Sequence, residues 1–71
     1  MTTTRWERER ALSDRVRAVW DAHRDGREWE EVYTDAREAT ARRLEADAAL
    51  IRAMTWGQFL RLQGIQEGAG A

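Results

Sequence analysis

Apolar residues recur along this chain at helical spacing, and no alternating run is long enough to make a strand. Leu12, Val16, Val19 and His23 fall at i, i+4, i+7 and i+11. They form one narrow stripe, widened by Trp20 and, further round, by Trp6. The pattern predicts helix one over 5–24. Thr4-Arg5-Trp6-Glu7 reads as a capping box at its start, and Asp25-Gly26 stops it, with Gly26 supplying a left-handed residue.

A second stripe follows. Trp29, Val32, Tyr33, Ala36, Thr40, Leu44, Asp47, Leu50, Ile51 and Met54 share one helical face, which predicts helix two over 28–54. Glu28, Glu30 and Glu31 suit the positive end of its dipole. The middle of the face is weak, with Ala36, Ala39, Thr40 and Arg43 where larger apolar groups would pack. A break would fall near Thr40, although no Gly or Pro enforces one; Arg43 and Asp47, at i and i+4, are placed to pair. Helix three is predicted over 56–63, from a second capping box at Thr55-Trp56-Gly57-Gln58 to a stop at Gly64-Ile65. Residues 66–71 read as a flexible tail.

At 1.5 Å per residue, helix one is roughly 30 Å long and helix two roughly 40 Å. Folding at Gly26 sets Val19 near Tyr33, Val16 near Ala36 and Leu12 near Thr40. The overhang of helix two, carrying Leu50, Ile51 and Met54, is then covered by helix three, about 12 Å long. The expected fold is all-α, a single domain over 1–71: an antiparallel helical hairpin with a short C-terminal helix. The four tryptophans become two end layers, Trp20 with Trp29 at the turn and Trp6 near Trp56 at the open end.

Size adds a constraint. A chain of 71 residues buries roughly 60% of its unfolded surface, so its stability needs support from a disulfide, a metal or an oligomer. With no cysteine and one histidine, disulfides, cysteine zinc sites and multi-histidine metal sites are excluded. No metal or cofactor is expected, and association with another chain is the support that remains.

Charge narrows the partners. Twelve Arg, no Lys and thirteen acidic residues give a net charge of −1, with no basic tail. Helix one carries six Arg against four acids, a local charge of only +2. Nucleic acid is therefore not the expected partner. The Arg-only, Ala-rich composition fits a GC-rich bacterium or one of its phages. The chain shows no signal-peptide core and no apolar run of membrane length, so a cytoplasmic location is expected.

Candidate chemistry is sparse. His23, near Asp21 and Asp25, is the one side chain that titrates near neutrality without a special environment. It lacks the partner, pocket and nucleophile that a general base requires, and reads as a helix-end residue. The carboxylates Glu30, Glu31, Asp35 and Glu38 read as surface partners of Arg27, Arg37 and Arg42. No enzyme activity is expected.

The segment Thr55-x-x-x-Phe59-Leu60-x-x-x-Gly64-Ile65 resembles the first helix and turn of a helix-turn-helix reader. Gly26-Arg27-Glu28-Trp29-Glu30-Glu31-Val32 is similar to the helix opening of sigma-like DNA-binding modules. These resemblances imply an alternative, a DNA-binding regulator with a degenerate motif, in which Gln66–Ala71 is too short and glycine-rich for the recognition helix. The first expectation is a small protein-interaction module. It either forms a homodimer that completes a four-helix bundle or docks on a larger assembly. The expected partner-binding residues are Trp20, Trp29 and Tyr33, with Val16 and Leu12, because interface energy concentrates in buried aromatics.

Overall fold

The computed structural model describes residues 4–66, and all regular structure among them is helical. Residues 67–71 of the expected tail lie outside the described residues. Helix α1 spans Arg5–His23 and α2 spans Trp29–Arg43. A 3-10 turn over Glu45–Asp47 leads into α3, Ala48–Ala53, and α4 spans Trp56–Gln63.

The ends of these helices follow local chemistry. Thr4 and Thr55 each accept the backbone N–H three residues on, and Glu7 and Gln58 reach back to the cap N–H. Gly26 and Gly64 take the left-handed conformation, at φ 73° and 68°. A Cβ at Gly64 would meet nothing within 4 Å, so its cost is backbone alone. Gly64→Ala should lower stability by about 1–2 kcal/mol. Gly57, in open space inside α4 and without a positive φ, should do the reverse. Gly57→Ala should raise stability by about 0.4–1 kcal/mol by restricting the unfolded chain. Urea unfolding of the two variants reads the opposite signs directly.

α1 and α2 lie side by side. Trp20 packs on Trp29 at the turn end, and Arg8 pairs with Asp47 at the other. Asp47 is thus taken by Arg8 on α1, not by Arg43 one turn earlier. The expected single helix over 28–54 is replaced by three segments. α2 continues through Thr40 and ends at Arg43; Leu44, at φ −117° and ψ 65°, turns the chain. α3 then returns antiparallel to α2, with Arg52 on Glu38 and Met54 level with Tyr33.

The physical reason is burial. A straight helix would carry Ile51 and Met54 past the end of α1. The return buries both almost completely, and Ala41, fully buried, offers the small surface against which the chain folds back. Each large apolar side chain so covered contributes about 1.5–3 kcal/mol, which exceeds the loss of a few helical hydrogen bonds at about 1 kcal/mol each.

The same return corrects the tryptophan layers. α4 leaves the α3 turn beside Tyr33, so Trp56 joins Trp20 and Tyr33, with ring centroids 6.0 and 5.4 Å away. Trp6 stays at the far end and is 59% exposed. Phe59 completes the cluster, 4.7 Å from Tyr33 and 5.5 Å from Trp20. Further along α4, the Gln63 amide donates to Ser13 Oγ at 2.6 Å and to Asp14 at 2.8 Å, tying α4 to α1. Ser13 is fully buried, a small polar residue at the contact that the apolar stripe did not reveal.

Candidate functional site

The residues expected to bind a partner are largely committed to the chain's own interior. Leu12, Val16, Trp20 and Tyr33 are buried, and Trp29 is half-buried against them. Most of their apolar surface is used in the fold itself. The hydrogen bonds agree. Trp20 Nε1–H donates to the Trp29 carbonyl at 2.9 Å, and the Tyr33 hydroxyl donates to the Met54 carbonyl. Arg37 donates to the same carbonyl at 3.1 Å and lies 5.4 Å from the Tyr33 ring centroid. Arg24 covers the Trp20 and Trp29 rings at 4.6 and 5.0 Å.

Burial pushes the Tyr33 hydroxyl up to about 12, with the Arg37 guanidinium acting in the opposite direction. Glu38 is held below the usual carboxylate range, chiefly by its hydrogen bonds from Arg52. Arg52 is raised in turn by the same contact. Both lie at the surface, where such a pair adds little stability and is screened by salt.

What remains open is a groove between α1 and α2. One depression, of about 240 Å³, is lined by Val19, His23, Arg27, Val32, Asp35, Ala36 and Ala39. A second shares Val19 and continues past Ala18, Thr40 and Leu44 between Arg15 and Arg43. Helical spacing creates it. Tyr33 of α2 points to the α3–α4 side, where it meets Met54, Trp56 and Phe59, while Val32, Ala36 and Ala39 line this one. Ala11, Ala18 and Ala22 similarly face solvent on α1. The depression is smaller than the roughly 300–1,000 Å³ of a typical small-molecule pocket. It is a shallow depression with an apolar floor and charged residues at its edges.

The groove also contains His23, which is exposed and has no hydrogen bond or ion pair among the described residues. Asp35, its neighbour in the lining, pairs with Arg27 at 3.3 Å. Arg15 and Arg43 have no carboxylate partner among the described residues, although Arg42, beside Arg43, pairs with Glu38.

No protein-family model, curated protein or solved structure matches this chain.

Other candidate chemistry is placed as follows. Among the described residues no group of three or more His, Cys, Asp or Glu is arranged to hold a metal ion. No helix among them is long and apolar enough to cross a membrane. The segment resembling a helix-turn-helix opening forms α4 and its Gly64 stop, and the positions where a reading helix would follow fall mostly outside the described residues. Trp6 borders a shallow depression with Glu9, Gln58, Arg61 and Leu62. A single exposed aromatic of this kind is ordinary on a folded surface. The groove itself was visible in the sequence only as the weak middle of the helix-two face, at Ala36, Ala39 and Arg43.

Proposed function

We propose that this chain is a small helical protein-interaction module that acts by binding rather than by catalysis. In this reading α1 and α2 form a hairpin whose open side takes a helix from another polypeptide. The observation that carries it is the groove between α1 and α2, with buried Val32 and Ala36 at its floor and half-buried Val19 and exposed Ala39 at its rim, open on the side that α3 and α4 leave uncovered. Alanine on both walls lets a partner backbone approach closely, and a helix laid in a groove is a common mode of peptide recognition. Arg15 and Arg43, without a carboxylate partner among the described residues, favour a partner that carries acidic residues there. DNA binding draws less support, because the groove is apolar and α4 presents a single basic residue, Arg61.

The chain contains no cysteine, which allows a site-directed test. A photo-crosslinker attached to a single cysteine at Ala39 should capture a defined adduct in the native cells. The same group at Ala53, exposed on α3, should not. Equal yields at the two positions, or no adduct at Ala39, would remove the groove as a binding surface.

A further inference from the structure

We infer that the occupant of the groove is a second copy of this chain, an inference that rests on the groove reading above. α2 of each copy packs antiparallel on α2 of the other about a two-fold axis at Ala39. Asp35, Ala39 and Arg43 follow one another at i, i+4 and i+8, and all three line the groove. In an antiparallel pairing centred on Ala39, each residue faces the one equally far on the other side of the centre. Arg43 of each copy then lies opposite Asp35 of the other, and the alanines meet on the axis. Opposite charges placed symmetrically about a small residue meet the self-complementarity that a two-fold contact requires.

The pairing of the two residues fits. Arg43 has no carboxylate partner within the described chain. The Asp35 side chain is 72% exposed and among the described residues is held by Arg27 alone, at 3.3 Å through Oδ2, which leaves Oδ1 to accept from Arg43 of the other copy. The size of the face sets the strength. A surface about 22 Å long and two helices wide buries on the order of 1,000 Å² in total, near the lower limit for specific interfaces. The expected dimer is weak and reversible.

Sedimentation equilibrium of the full chain, from micromolar to about millimolar concentration, tests this. The wild type should dimerise. Arg43→Asp and Asp35→Arg each place like charges opposite one another, and each alone should weaken association about tenfold or more. An equimolar mixture should restore it, because both pairs in the mixed dimer are again opposite in sign. Both sites are exposed, and far-ultraviolet circular dichroism should show an unchanged fold. A wild type that stays monomeric at the highest concentration, or a mixture no tighter than its components, overturns the inference. A monomer that still crosslinks to a different protein through position 39 removes the second copy and leaves the interaction module standing. A monomer with no adduct there removes both.

Discussion

Trp20→Ala should remove a large share of this chain's stability. Trp20 is 1% exposed and stands within 6 Å of three other aromatic rings, Trp29, Phe59 and Trp56. It joins the end of α1 to α2 and to α4 at once. Truncating a buried Trp costs about 3–5 kcal/mol. A chain of this size has in total only about 4–10 kcal/mol of stability. The loss therefore takes from about a third to all of it. Part of the cost is polar, because the Trp29 carbonyl loses its Nε1–H donor. Trp20→Phe should recover most of the burial and fall short by about 0.5–1.5 kcal/mol for the missing hydrogen bond. Trp6→Ala is the control. Trp6 is 59% exposed, and its loss should cost less than about 0.5 kcal/mol. Guanidinium unfolding followed by far-ultraviolet circular dichroism separates these cases. Equal effects at Trp20 and Trp6 would mean that the aromatic cluster is not the centre of the fold.

The second large effect is alkaline destabilisation through Tyr33. Its hydroxyl titrates near 12 in the folded chain against 10.0 for the free side chain. Below pH 10 both states hold the proton and stability is unaffected. Between the two values the unfolded chain has released the proton while the folded chain keeps it, so unfolding is favoured more with each step in pH. Stability should fall by roughly 2–3 kcal/mol across this window. The cause is burial of a phenol whose anion would lie among rings and lose its role as donor to the Met54 carbonyl. This is the chain's single tyrosine, so ultraviolet absorbance of the phenolate reports the group directly. In Tyr33→Phe the fall between pH 10 and 12 should be absent. At neutral pH that variant should lose only about 0.5–1.5 kcal/mol, because Arg37 still donates to the Met54 carbonyl. Phenolate formation near pH 10 in the folded chain would show that Tyr33 is open to solvent.

Much of the secondary structure was legible before any tertiary contact was known. The capping boxes at Thr4 and Thr55, the stops at Gly26 and Gly64 and the helical periodicity all occur where the residues place them. The break after Arg43 was not legible. No Gly or Pro lies between Gly26 and Gly57, and Asp47, which precedes α3, makes no capping hydrogen bond. The weak apolar middle of helix two hinted at a discontinuity, but the chain turns at Leu44, four residues beyond Thr40. The groove followed the same pattern. Ala36 and Ala39 looked like poor core residues, whereas one supports the core and the other is exposed beside it.

Local sequence thus encodes the all-α class, the starts of α1, α2 and α4 and the glycine stops. Each depends on hydrogen bonds and backbone angles within four or five residues. Tertiary structure alone decided where helix two ends, which rings form the core and which face stays open. Those outcomes depend on Ile51, Met54, Trp56 and Phe59 finding Tyr33 and Trp20 from more than fifteen residues away. The apolar area buried by that return outweighs the local preference for an uninterrupted helix, and no local pattern encodes the comparison.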